Sequence, residues 1–130
     1  MPERVFHLLD PASWPRDGAP LAPASLQTEG FLHASFALQL AETLALHFDP
    51  GAEGTPAALL LLELDSPALA QDLHVEASRG GAGFPHLYRA LEEVEVLRWW
   101  TLETRDGRWL LPIIGLAANE DEPQATLGAP

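Results

Sequence analysis

The sequence contains no cysteine and no lysine among its 130 residues. The absence of cysteine excludes disulfide bonds, thiol nucleophiles and cysteine metal ligands. Seven arginines stand against nineteen aspartates and glutamates, so the formal net charge is −12. Such an acidic chain is not attracted over long range to a nucleic-acid backbone, and we predict no nonspecific nucleic-acid binding.

The sequence also lacks an apolar run near the roughly 20 residues that span a bilayer, and a charged leader followed by an apolar segment. We therefore expect a soluble, cytoplasmic protein without membrane contact. A length of 130 residues with 47% hydrophobic content fits one domain with its own core. We assign residues 1–114 to this domain and residues 115–130 to an acidic, weakly ordered tail.

Short apolar segments between proline, glycine and aspartate residues predict an α+β domain with several strands. Residues 4–9 predict the first strand, and the apolar run 57–65 predicts a strand buried on both faces. Residues 74–76 predict another short strand. Asp106-Gly107, within residues 94–111, predicts a type I′ hairpin turn.

The segment Glu29-Gly30-Phe31-Leu32-His33-Ala34-Ser35 joins a predicted strand to a helix predicted over residues 36–48. Side chains alternate between the two faces of a strand, so Phe31, His33 and Ser35 are expected on one face. We expect the Ser35 hydroxyl to cap the helix. His47 lies near the predicted C-terminus of this helix, where we assign it a surface role.

A second segment, Phe84-Pro85-His86-Leu87-Tyr88-Arg89, follows a glycine-rich loop and combines aromatic rings with an imidazole and a guanidinium. Separate parts of the chain supply polar side chains that we expect to face inward. They are His7, Glu29, His33, Ser35, Glu76, His86, Tyr88 and Arg89. Imidazoles and hydroxyls can bind sugar hydroxyls, and an aromatic ring can stack on a flat ring, so the set fits a small, nucleotide-like ligand. A structural role for each histidine is the alternative.

Metal binding is a competing use of these histidines and carboxylates, because imidazole and carboxylate are common zinc and iron ligands. The sequence has no His-Glu-x-x-His pattern and no compact His-x-His pair, so we assign no metal ligands and rank a metal-dependent hydrolase lower. Hydrolysis by a serine nucleophile is disfavoured because no Gly-x-Ser-x-Gly elbow is present. Gly80-Gly81-Ala82-Gly83 lacks the ending of a phosphate-binding loop.

Several of these motifs together resemble the bacterial family known as domain of unknown function 952, over about residues 4 to 100. The motifs are Val5-Phe6-His7-Leu8, Ser25-Leu26, Glu29 to Ser35, Glu63-Leu64-Asp65, Glu76 and Phe84 to Tyr88. Members of that family resemble the ADP-ribosyltransferase fold, in which a split, mainly antiparallel sheet with few short helices holds NAD in a cleft. The resemblance therefore implies an ADP-ribosyltransferase-like fold for this chain.

The resemblance also implies roles for individual residues. His7 would hold the NAD ribose and the nicotinamide amide, and Tyr88 or His33 would supply stacking or a second ribose contact. A carboxylate would stabilise the positive charge that develops on the ribose, with Glu76 as first candidate and Glu29 as second. The cofactor-binding candidates are His7, His33, Ser35, His86, Tyr88 and Arg89.

The implied activity is an NAD-dependent ADP-ribosyltransferase or NAD glycohydrolase, with NAD as its substrate. The sequence departs from well-characterised transferases, because neither an Arg-Ser-Glu nor a His-Tyr-Glu order with familiar spacing fits it. The alternative is therefore a non-catalytic module that binds a nucleotide or another small molecule.

Overall fold

A computed structural model of the chain describes residues 4–77 and 81–112. The domain boundary predicted at residue 114, the acidic tail 115–130 and part of the predicted glycine-rich loop, residues 78–80, lie outside the described residues. Within the described ranges, the chain alternates short strands with short helices. No helix in those ranges has the length and apolar character needed to cross a membrane.

Nine strands and three short α-helices make up the described regular structure. The strands are β1 Val5–Leu9, β2 Leu32–His33, β3 Ser35–Phe36, β4 Leu59–Leu64, β5 Leu73–Ala77, β6 Gly83–Leu87, β7 Val96–Leu102, β8 Thr104–Arg105 and β9 Arg108–Trp109. The helices are α1 Ser25–Thr28, α2 Leu40–His47 and α3 Ser66–Leu69, with 3-10 turns at Pro11–Ser13, Ala37–Gln39 and Glu93–Glu95. The predicted α+β class with few short helices is confirmed.

The strands form two main sheets and a small ribbon, and their pairings within the described residues are antiparallel. The four-stranded sheet has the order β3-β1-β4-β7, the three-stranded sheet has the order β2-β6-β5, and β8 pairs with β9. The chain leaves the three-stranded sheet after His33 and enters the four-stranded sheet at Ser35. Ala34 therefore marks the point where the two sheets meet.

Strand β4 lies between β1 and β7, and all six of its residues are buried. Leu60, Leu62 and Leu64 pack in one hydrophobic cluster, whereas Leu59 and Leu61 pack in the other. A continuous apolar run is suited to this position because both faces of the strand are covered. The prediction of a doubly buried strand is confirmed.

The two hydrophobic clusters lie on opposite faces of the four-stranded sheet. Leu32 and Leu87 of the three-stranded sheet belong to the first cluster, so this cluster joins the two sheets. Leu40 and Leu44 belong to the second cluster, so helix α2 covers the other face. Trp14 is also buried in the first cluster.

The helix predicted over residues 36–48 is shorter than expected, because a 3-10 turn at Ala37–Gln39 precedes α2. Ser35 does not cap it. The Ser35 hydroxyl lies 3.1 Å from the Thr43 hydroxyl, and the Gln39 side-chain oxygen accepts the backbone N–H of Phe36 instead, at 2.9 Å. Ser35 also belongs to a different sheet from His33, so the prediction of one continuous strand was wrong.

The hairpin predicted at Asp106-Gly107 is present between β8 and β9. Asp106 has a φ of 53° and Gly107 has a φ of 76°, which are the left-handed values that a type I′ turn requires at both central positions. Glycine adopts this conformation without a steric penalty, and aspartate tolerates it better than most residues. This turn places Trp109 so that its indole N–H donates to the carbonyl oxygen of Phe48 at 2.6 Å.

Candidate functional site

Three histidines lie side by side on one face of the three-stranded sheet. His33 on β2 pairs with His86 on β6, and His86 pairs with His74 on β5. Directly opposed residues in an antiparallel sheet project to the same side, so the three imidazoles form a row. The ring centroids of His33 and His86 are 5.6 Å apart.

The Glu76 carboxylate binds the central imidazole of this row. Glu76 Oε1 lies 2.8 Å from His86 Nδ1 and accepts the Tyr88 hydroxyl at 2.5 Å. The hydrogen bonds from Tyr88 and then from His86 hold the pKa of the Glu76 carboxyl below its usual value, and the same bond to Glu76 raises the pKa of Tyr88. Glu76 is therefore ionised at neutral pH and accepts both hydrogen bonds.

Phe31 covers the row of histidines. Its ring stacks on His86 with a centroid distance of 4.0 Å and an interplanar angle of 16°, and it meets the edge of His33 at 4.8 Å. The Tyr88 ring lies 5.4 Å from it. Phe31 was not predicted as a site residue, although strand alternation places it two residues before His33 and hence on the same face.

His7 connects the two sheets. Its Nδ1 lies 2.6 Å from the carbonyl oxygen of His33, and the imidazole N–H donates because a carbonyl oxygen only accepts. Burial lowers the pKa of His7 to about 4, which outweighs the opposing effect of this hydrogen bond. His33 in turn donates from Nε2 to the Glu29 carboxylate at 3.0 Å. His7 is thus neutral at neutral pH, and its Nε2 carries a lone pair.

A cleft of about 430 Å³ opens beside these groups. It is lined by Glu29, His33, Ala34, Ser35, Thr43, His47, Phe84 and His86. An adjoining cavity of about 240 Å³ shares His33, Ser35 and Thr43 with it and is also lined by His7. His7, His33 and His86 therefore line two adjoining cavities at the junction of the two sheets, and His33 belongs to both linings. The volume of the cleft is in the range of small-molecule sites.

The structure brings most of the predicted site residues together. Those that line the two cavities are His7, Glu29, His33, Ser35 and His86. Glu76 and Tyr88 are outside both linings and contact the cluster through His86 and Phe31. Of the two candidate carboxylates, Glu29 lines the cleft, whereas Glu76 does not and binds His86.

Arg89 does not join the cluster. Its guanidinium binds Asp72 at 2.9 Å, Glu95 at 3.0 and 2.6 Å, and the carbonyl oxygen of Ala90 at 2.9 Å. The hydrogen bond from Arg89 holds the pKa of the Glu95 carboxyl below its usual value. Arg89, predicted to bind the ligand, lies outside both cavity linings, and its donors hold the segment after β6 against neighbouring loops.

Two residues of the cleft, Thr43 and His47, were not predicted as site residues. They are four residues apart on α2, which places them on the same helix face. This spacing is the sequence signal that could have identified them as neighbours. The Thr43 hydroxyl also lies 3.1 Å from the Ser35 hydroxyl. His47 is exposed, as its predicted surface role requires, but it faces the cleft.

The lining offers imidazoles, hydroxyls and one carboxylate, and none of the lining residues that the structure describes is an arginine. Within residues 4–77 and 81–112, no three histidine, aspartate or glutamate side chains are arranged to hold a metal ion. The row of histidines runs across the strands instead of converging on one point. Such a lining suits hydroxyl groups and flat rings.

Fold and site together define a small α+β domain with a histidine-lined cleft between two antiparallel sheets. The chain belongs to the family described as "Protein of unknown function (DUF952)", which it matches over residues 9–99. The membership confirms the family that the sequence motifs predicted. No curated protein matches the chain significantly.

Solved structures of one relative have the same fold. The crystal structure of protein CC0527 from Caulobacter crescentus is 36% identical, with a TM-score of 0.70 over 82% of this chain and 93% of that chain. The solution NMR structure of CC0527 is 38% identical, with a TM-score of 0.66 over 81% of this chain and 90% of that chain. These likenesses extend over nearly all of the relative.

Proposed function

We propose that the cleft binds the ribosyl part of a nucleotide-like ligand, with NAD as the first candidate. The matching activity is that of an NAD-dependent ADP-ribosyltransferase or NAD glycohydrolase with an ADP-ribosyltransferase-like fold. The observation that supports this proposal is the placement of His7, His33 and His86 around two adjoining cavities, with Glu29 in the wall of the larger one.

The lining provides partners for a ribose. The Ser35 and Thr43 hydroxyls, 3.1 Å apart, can each donate to and accept from sugar hydroxyls. His7 offers a lone pair at Nε2 from the adjoining cavity, since its other ring nitrogen is bound to the His33 carbonyl. The rings of His33 and Phe84 add flat surfaces for a nicotinamide or another aromatic group.

Glu29 is the carboxylate best placed for the reaction. In the proposed step, water or an acceptor hydroxyl attacks the ribose carbon, the bond to the nicotinamide nitrogen breaks, and its electron pair leaves with nicotinamide. The attacking oxygen then loses its proton to bulk water. Positive charge develops on the ribose, and a nearby carboxylate stabilises it. Glu29 is preferred to Glu76 because it lines the cleft, and the His33 imidazole holds it in place at 3.0 Å.

The test is to incubate the protein with NAD and to measure released nicotinamide by chromatography. We expect release by the wild type and loss of release in Glu29→Gln, which keeps the side-chain size but removes the charge. Glu53→Gln, at an exposed glutamate outside the cleft, is the matched control and should retain activity. Absence of turnover in the wild type, with no change in melting temperature on adding NAD or ADP-ribose, would reject the proposal.

A second candidate is a non-catalytic module that binds a neutral, hydroxyl-rich ligand such as a nucleoside. The lining favours this candidate, because none of its described residues is an arginine that could neutralise a pyrophosphate, and Arg89 is bound to Asp72 and Glu95. Calorimetry separates the two. Saturable binding of adenosine without product, together with weaker binding of NAD, would support the module, and nicotinamide release would exclude it.

A further inference from the structure

His86 has one ring nitrogen that is hydrogen-bonded and one for which the described part of the chain supplies no hydrogen-bond partner. It lies on the central strand of the three-stranded sheet and is only 5% exposed. Its Nδ1 lies 2.8 Å from the Glu76 carboxylate. Its Nε2 is buried, and no described residue forms a hydrogen bond with it. Burying a polar atom without a hydrogen-bond partner costs free energy. A buried, unpartnered nitrogen beside a cleft therefore points to a partner that a ligand supplies.

The environment of Glu76 determines the state of this imidazole. An ionised carboxylate can only accept, so the hydrogen of the bond between Glu76 and His86 is on Nδ1 of the imidazole. The Tyr88 hydroxyl donates to the same carboxylate oxygen, which keeps Glu76 in its ionised form. In a neutral imidazole with the hydrogen on Nδ1, Nε2 carries a lone pair and is an acceptor.

We propose that His86 Nε2 accepts a hydrogen bond from an N–H or O–H group of the ligand, and that Glu76 and Tyr88 are positioning residues that fix the acceptor tautomer. The cleft that His86 lines is the route of access. Phe31 stacks on one face of the ring at 4.0 Å, so the donor approaches in the ring plane. The inference rests on the proposed function only in the choice of ligand.

The first experiment needs no ligand. Long-range proton–nitrogen NMR of histidine-labelled protein distinguishes a protonated from an unprotonated ring nitrogen, and His86→Gln assigns the signals. We expect the wild type to show a protonated Nδ1 and an unprotonated Nε2 at His86. A hydrogen on Nε2 would overturn the inference, because that nitrogen would then be a donor.

Variants test the positioning role. Glu76→Gln replaces an obligate acceptor with an amide that can also donate, so we expect a mixture of His86 tautomers and at least a tenfold loss of ligand affinity, as for a lost buried hydrogen bond. Glu103→Gln, at an exposed glutamate after β7, is the matched control. Tyr88→Phe removes one donor from Glu76 and is the second variant if Glu76→Gln does not fold. An unchanged tautomer in the folded variants would overturn the positioning role.

The last step is titration with NAD, and with adenosine as a second probe, while the Nε2 signal of His86 is followed. A change of this signal towards the hydrogen-bonded value at saturation supports the inference. Binding of either probe without that change would overturn the acceptor role and leave the proposed cleft intact. If neither probe binds, both the acceptor role and the proposed function fail, whereas binding of adenosine alone rejects only the NAD reaction.

Discussion

His7 Nδ1 donates to the carbonyl oxygen of His33 across 2.6 Å, and this bond joins the four-stranded sheet directly to the three-stranded sheet. The carbonyl belongs to the residue just before the chain changes sheets, so the bond fixes the walls of the cleft relative to each other. The imidazole that forms it is buried. Protonation of His7 would place an uncompensated charge between the sheets.

This relationship predicts a dependence of stability on pH. Burial lowers the pKa of His7 from 6.5 to about 4, so between these values the unfolded chain binds the proton that the folded chain does not. The free energy of unfolding therefore falls as the pH decreases from 6.5 to 4, by roughly 3 kcal/mol in total from this residue. Urea unfolding at several pH values in this window measures the slope.

The matched variant for this prediction is His7→Gln, whose amide can donate to the same carbonyl but does not titrate in this range. Carboxylates contribute equally to wild type and variant, so the difference between the two slopes isolates His7. Equal slopes in the two proteins would show that His7 is not the group responsible.

Arg89 is predicted to act in stability and not in ligand binding. Arg89→Met removes its hydrogen bonds to Asp72 and Glu95 but keeps the aliphatic part of the side chain. We expect a loss of about 1 to 2 kcal/mol of unfolding free energy, a moderate value because a third of the side chain is exposed. Denaturant unfolding gives this value, and calorimetry should show unchanged affinity for NAD.

The control for Arg89 is Arg105→Met on strand β8, where the residue is exposed. A surface substitution of this kind changes stability by no more than about 0.5 kcal/mol. Weaker NAD binding by the folded Arg89→Met variant than by the wild type would show that Arg89 also binds the ligand.

Local sequence signals predicted the parts of the fold that depend on local chemistry. The apolar run in β4 is bounded by Pro56 and Ser66-Pro67, and a strand covered on both faces accommodates a run of this length. Asp106-Gly107 specified its turn because few residues adopt a positive φ. The structure places His7, His33 and His86, which the sequence predicts to face inward together, around the two adjoining cavities.

The features that the sequence did not predict depend on distant partners. Strands of two residues, such as β2 and β3, contain no measurable periodicity, so the change of sheet at Ala34 has no local signal. The partners of Arg89 lie 17 and 6 residues away, and only the folded chain brings them together. The local sequence around an arginine is the same whether its guanidinium binds a ligand or two carboxylates, so it does not distinguish the two roles.

His47 supplies a prediction about the extent of the cleft. His47→Ala removes an exposed imidazole from the lining, so we expect affinity for NAD to fall roughly two- to tenfold, as for the loss of one net hydrogen bond. Stability should change by less than about 0.5 kcal/mol. Calorimetry and denaturant unfolding measure the two effects. Leu46→Ala, at the exposed neighbour outside the lining, should leave the affinity unaltered.

Gly30 supplies a prediction about the entry to the site. Its φ is 93°, and a Cβ added there would meet no other atom within 4 Å, so substitution changes only the backbone preference. We expect Gly30→Ala to lower the free energy of unfolding by about 1 to 2 kcal/mol, because an L-residue resists a left-handed backbone. Since Phe31 follows directly, its stacking on His86 should loosen as well.

Gly51→Ala is the control, because its φ is not positive and its added Cβ would make only an ordinary contact, 3.6 Å from Asp49. Equal melting temperatures for the two variants would contradict the prediction.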